Sequence, residues 1–396
     1  MLLGTERRPS RNFLLRTITS RGGELSAAAG REFLEIRAVV RAADIDLAID
    51  VLRDMIRESR FDATALESER GVLLQQVAER ADNPVERAAD ALFDALLGGH
   101  PLANRPSATA EDVRRVVPDD VRAFWASRLA GENILAGIVC ELDHEAVVGR
   151  IDDVFGDIPA FVGVGANGND SPPRVDLGPT DARDLVLDVP GTQAQVVVGV
   201  PLPGVTHADR SAIRVANAVL GRLSGRLFGE IRDRRGLAYS TACTVAQYAD
   251  AGVWFAQVGT APRNADTVRS LVLGEFARLR DEVLSQEELE NAREGEIGAR
   301  IVAREASRDE AIGLIRDAAY GLPVAVEQDA LLRAVTAAEI QRVAREYLDP
   351  GRITTIVARP VEASMRVATS LPAMVGAALE RVARSGIPNV GTGASR

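Results

Sequence analysis

A chain of 396 residues is too long for one ordinary domain and long enough for two, each able to bury its own core. A net charge of −10 spread over the chain argues against a nucleic-acid or anionic-membrane surface, and no run approaches the ~18 consecutive apolar residues that would span a bilayer. Hydrophobic residues make up 46% but aromatics only 4%, so the core must be built from Ala, Val, Leu and Ile. All 47 basic residues are Arg, which we attribute to GC-rich coding rather than to function.

In chain order, MLLGTERRPS comes first: a Met-Leu-Leu stub that runs into Gly4 and a basic loop and reads as the end of a helix. REFLEIRAVV alternates apolar and polar residues as a strand does. ADIDLAIDVLRDMI places Ile45, Ile49, Leu52 and Ile56 at helical spacing. A long helix over ALESERGVLLQQVAER, the turn LLGGHP, a helical block AEDVRRVVPDDVRAFWASRL and a strand in ENILAGIV complete a first unit, residues 1–161. Residues 162–183 read as a linker. Their formal GxGxxG at Gly163, Gly165 and Gly168 is followed by Pro172-Pro173, which deny it the helix a dinucleotide site requires.

The second unit, residues 184–385, opens with strands DLVLDV and AQVVVGV and a helix over about 208–220, and then repeats the first. Val121 and Ile340, Ile134 and Ile353, and Leu52 and Leu271 are each 219 apart; Leu66 and Leu289 are 223 apart, and LLGGHP lies against AYGLPV at 222. Four blocks in one order mark an internal duplication of an α+β unit with strand hairpins and helices on one face. The opening strands and helix of the second unit have no counterpart after Met1, so the first unit reads as N-terminally truncated, either because the protein begins upstream of Met1 or because this copy has decayed. Cys140 and Cys243 lie in apolar runs and read as buried free thiols of a protein in the reducing cytoplasm. His100, His144 and His207 include no i, i+4 pair and read as surface or capping residues, and residues 386–396 as a disordered tail.

MLLGTERRPS with GGELSAAAGREF, GGHPLANRP and SGRLFGEIRDRRGLAYS resemble the insulinase/pitrilysin and mitochondrial processing peptidase family of zinc metallopeptidases. The resemblance runs over essentially the whole chain. It implies two homologous LuxS/metallohydrolase-like α/β domains that close as a clamshell around a peptide. It also implies an inverted zinc motif, HxxEH, on a helix leading directly into MLLGT, which places that motif just before Met1. The distal zinc ligand of the family, a Glu, falls at Gln76, or at Gln75 with a shift of one; Glu69 matches a second acidic position and Glu79 lies one turn beyond Gln76. A neutral amide is a poor zinc ligand. Arg232 and Tyr239 match the family's Arg and Tyr that hold the substrate backbone and its polarised carbonyl. Strand AGVWFAQVGT is a candidate for backbone pairing with substrate, if it lies at a sheet edge.

These features imply a non-catalytic, substrate-binding subunit of a heterodimeric zinc metallopeptidase. Zinc would sit in a homologous catalytic partner, or in this protein if an upstream HxxEH exists. An active metalloendopeptidase lacking that segment here, a self-dimer, and a structural subunit without peptide binding are the alternatives.

Overall fold

The computed structural model describes residues 4–105, 108–159 and 181–361. The GxGxxG, most of the linker and the tail at 386–396 lie outside them. The first half comprises α1 (Arg11–Thr19), β1 (Glu24–Ala29), β2 (Leu34–Val39), α2 (Ile45–Arg57), α3 (Ala63–Asp82), α4 (Pro84–Leu97), α5 (Ala110–Arg115), α6 (Pro118–Arg128) and α7 (His144–Phe155). The second comprises β3 (Arg183–Val189), β4 (Ala194–Pro203), α8 (Arg210–Gly221), β5 (Ala238–Gln247), β6 (Ala251–Thr260), α9 (Ala265–Asp281), α10 (Gln286–Val302), α11 (Ser307–Ala319), α12 (Ala325–Ala334), α13 (Ala337–Tyr347) and β7 (Thr354–Pro360). The succession from β1 to α6 recurs as β5 to α13, so the repeat seen in the residues is a repeat of elements.

Local signals set the helix ends. Asp62 accepts from Ala65 N at 2.8 Å to start α3, and Asn83 caps α4 with Pro84 in its first turn, where a missing N–H costs nothing. Thr336 and Glu339 close a reciprocal capping box at the start of α13.

The second half is organised by a five-stranded sheet of order β3-β7-β4-β6-β5, parallel between β3 and β7 and antiparallel elsewhere. Its central strand β4 is buried on both faces, which is why it reads as the continuous run VVVGV rather than an alternation. Val196, Val198 and Val200 pack into the core shared with α8, α9 and α13. Val197 lies in a second core with Ala88, Leu92 and Leu96 of α4. The second half's own helices thus lie on one face of its sheet, and the other face is covered by a helix from the first half. Each Val buried this way contributes about 1.5–3 kcal/mol, so leaving that face bare would be costly. Gly199 permits the close approach, since a Cβ there would lie 2.9 Å from Leu92 Cδ2 and 2.8 Å from Phe255 Cβ.

The first half has an antiparallel β1–β2 pair over a small core of Leu14, Ile18, Leu25, Val51 and Met55. The basic loop after Gly4 is held by Arg8, which pairs with the fully buried Asp54 and with Asp50. Gly4 itself has φ +138°, and a Cβ there would fall 2.8 Å from the Pro9 carbonyl carbon.

Two expectations are corrected. Residues 134–139, read as a strand, form none. Their repeat counterpart β7 is hydrogen-bonded between β3 and β4, and among the described residues the first half has no counterparts of those two strands to pair with. The segment packs instead on α11, with the Gly137 Cβ position 2.9 Å from Ala311 O. Cys140, which ends this segment, is exposed rather than buried, whereas Cys243 is buried. Among the described residues no helix is long and apolar enough to cross a membrane.

Candidate functional site

The stretch SGRLFGEIRDRRGLAYS folds around two inward residues, Leu227 and Ile231, both fully buried. Between Phe228 and Asp233 the chain makes a π-helical turn, with Arg234 N donating to Gly229 O at 3.0 Å. Glu230 is buried at the base of the turn and pairs with Arg234 and Arg235; the Arg235 hydrogen bond holds its carboxyl below the usual range against the opposing effect of desolvation. Gly236, at φ +62°, then reverses the chain into β5.

This arrangement pushes Arg232 and Tyr239 outward. Arg232 is exposed, its guanidinium 4.8 Å from the centroid of the Phe228 ring, and among the described residues it meets no carboxylate within ion-pair distance. Tyr239 is 63% exposed, so it is not a core strand residue. It is the extra residue of a β-bulge: Ala238 pairs with Thr260 and Ser240 with Gly259. A bulge re-aims a side chain and is common at sheet edges beside functional sites. β5 is an edge strand, whereas β6, the strand AGVWFAQVGT, runs between β4 and β5 and has no free edge.

The residues matched to the metal-ligand helix lie on α3, none of whose residues is buried among the described ones. Gln75 Nε2 donates to Glu79 Oε1 at 2.9 Å, Glu69 lies 3.5 Å from Arg11 Nη1, and Gln76 is exposed. Two amides, a carboxylate engaged by an amide and another facing a guanidinium do not make a zinc donor set. Among the described residues, no three His, Cys, Asp or Glu converge as metal ligands. The histidines do other work. His100 is buried, accepts from Leu102 N through Nδ1 and meets Asp250 with Nε2 at 3.1 Å; His207 accepts from Asp209 N; His144 opens α7.

One site escaped the sequence reading. A cavity of about 450 Å³ is lined by Arg210 and Arg214 of α8, Thr244 of β5, Glu296 of α10, Arg304 in the turn between α10 and α11, and Asp317 of α11. Arg214 Nε donates to Glu296 Oε1 at 2.8 Å, Arg304 pairs with Asp317, and Arg316 Nη2, also on the wall, reaches Glu35 Oε1 at 2.8 Å. Among the described residues the Arg210 guanidinium donates only to the neutral Gln328 Oε1, at 3.2 Å. Its guanidinium is brought down to about 10 by desolvation first and by Arg214 and Arg300 after that. The i, i+4 spacing of Arg210 and Arg214 on a largely apolar helix was the available signal.

Residues 1–110 match the family model described as Insulinase (Peptidase family M16), and residues 115–296 match the one described as Peptidase M16 inactive domain. An uncharacterized zinc protease of Mycobacterium tuberculosis is 29% identical over 90% of this chain and 81% of its own length. The mitochondrial-processing peptidase subunit beta of Blastocladiella emersonii is 25% identical over 87% of this chain and 75% of its own. Among solved structures, a protease from Helicobacter pylori superposes with a TM-score of 0.81 at 18% identity, covering 91% of this chain and 87% of that one. That similarity is one of fold.

Proposed function

This chain belongs to the insulinase family, peptidase family M16, and on that premise we propose that it is the non-catalytic, peptide-binding subunit of a heterodimeric zinc metallopeptidase. Its donor residues on α3 do not suit zinc, so the metal and its HxxEH belong to a homologous catalytic chain. The observation that carries the substrate-binding part is the bulged, exposed Tyr239 on edge strand β5, close in sequence to an exposed Arg232 that no carboxylate among the described residues neutralises. An extended peptide can add its backbone to such an edge, with the phenol and guanidinium meeting carbonyl oxygens. The relatives named as zinc proteases and as a processing-peptidase subunit support a role in proteolysis.

The test is peptide binding followed by fluorescence anisotropy, with an unstructured labelled peptide. Removing a charged hydrogen bond is worth roughly 1.5–3 kcal/mol, so Arg232→Ala weakens binding about 10-fold or more, and Tyr239→Phe weakens it less. Both variants should unfold within about 0.5 kcal/mol of wild type, because both side chains are exposed. Unchanged binding removes the substrate-binding role. Chelator-sensitive hydrolysis by the isolated chain removes the non-catalytic one.

A further inference from the structure

We propose that the cavity between α8, β5, α10 and α11 is an oxyanion-binding pocket, in which Arg210 is the anchor for a carboxylate or phosphate group of a small ligand. The inference uses neither Arg232 nor Tyr239 and stands apart from the peptide-binding reading.

The argument begins with charge. Four guanidiniums line the cavity, those of Arg210, Arg214, Arg304 and Arg316. Three have carboxylate partners: Arg214 has Glu296, Arg304 has Asp317 and, at 3.6 Å, Glu310, and Arg316 has Glu35, which Arg37 shares. Arg210 has none within ion-pair distance among the described residues, and one neutral acceptor at 3.2 Å leaves most of its five donors unspent. Among the described residues Arg210 is therefore the guanidinium of this wall that no carboxylate reaches.

Position makes that charge expensive. Arg210 is the first residue of the 12-residue helix α8, where the helix's own partial positive charge disfavours a cation. It is partly buried, and Arg214 and Arg300 oppose its charge more than Asp317 and Glu296, beyond ion-pair distance, favour it. A residue kept only for packing would be better neutral at such a place. A planar fork of donors with a single neutral acceptor, facing a cavity, is an arrangement that receives a carboxylate or phosphate in bidentate fashion. Apolar wall from Val205, Val245 and Leu322 adds contact for the carbon skeleton of a ligand. A volume of about 450 Å³ is that of a small-molecule site rather than a macromolecular groove.

Two sources share this chemistry: the terminal carboxylate of a short peptide and free phosphate. Calorimetric titration of the full chain with N-acetyl-alanyl-alanine, its C-terminal amide and inorganic phosphate separates them. The expected result is saturable binding of the free acid or of phosphate, with no binding of the amide, and a loss of about 10-fold or more in Arg210→Gln. Arg210→Lys, which keeps the charge but not the fork, should retain part of the affinity. Ligand-free Arg210→Gln should be at least as resistant to urea as wild type, because it removes an unrelieved cation; a purely structural Arg would lower stability on removal. Binding of the acid alone assigns a peptide carboxylate, and binding of phosphate alone assigns a free oxyanion. Absence of binding by both, or equal binding to wild type and Arg210→Gln, overturns the proposal.

Discussion

Tyr320, just after α11 in the second half, donates its hydroxyl hydrogen to Glu32 of the first half, and the same carboxylate accepts from Ala249 N at 3.0 Å. The Tyr320 ring also meets Phe33 edge to face at 5.4 Å between centroids. One acidic side chain before β2 thus ties together the end of α11 and the β5–β6 turn. Burial, followed by the Glu32 contact, pushes the Tyr320 phenol upward, so it stays protonated and a donor throughout the neutral range. In a double-mutant cycle of Tyr320→Phe and Glu32→Ala, urea unfolding should show a coupling of about 0.5–1.5 kcal/mol. Additive effects would mean that the hydrogen bond contributes nothing.

Helix α4 is the larger tie. Leu92 is fully buried between α4 and the sheet of the other half, so Leu92→Ala should cost about 2–5 kcal/mol in urea unfolding. Gly199→Val would place bulk on Leu92 and Phe255 from the opposite side and should cost about 1–3 kcal/mol or more through overpacking. A change below 0.5 kcal/mol in both variants would show that α4 does not pack on β4 in solution.

Asp209 supplies a pH dependence. Its carboxyl is held below the usual range chiefly by Arg342, with the Tyr347 hydroxyl at 2.9 Å adding to this and desolvation opposing it. A depressed folded pKa means that the stabilisation is complete above the unfolded value of ~3.9 and is lost as the pH falls through the lower, folded value. Arg342 is half-exposed, which limits the contribution to about 1–2 kcal/mol. Asp209→Asn should therefore be less stable than wild type by that amount at pH 7, and the gap should close below about pH 4. A gap that persists at low pH would assign the loss to packing instead.

The two thiols should separate kinetically. Cys140 is exposed, whereas burial pushes the Cys243 thiol up to about 12. At pH 8 a chromogenic disulfide reagent should modify one thiol rapidly and the second only as the protein opens. Cys140→Ser should abolish the fast phase, and equal rates for both thiols would contradict the burial of Cys243.

What the residues alone determined follows from local physics. Leu52 and Leu271, or Leu66 and Leu289, occupy equivalent turns of equivalent helices, so side-chain periodicity and constant spacing exposed the duplication and the family resemblance without any knowledge of packing. Only the tertiary structure decided what depends on neighbours distant in sequence. Residues 134–139 carry a strand's residues but become no strand, because a strand needs a hydrogen-bonded partner, and among the described residues the first half offers no counterpart of the β3 and β4 that flank β7. Whether Tyr239 is core or exposed turned on a bulge in an edge strand, which residue type cannot encode. The Arg210 cavity was hidden for the same reason: a charged residue is legible in any sequence, but whether a carboxylate reaches it depends on how α8, α10 and α11 converge.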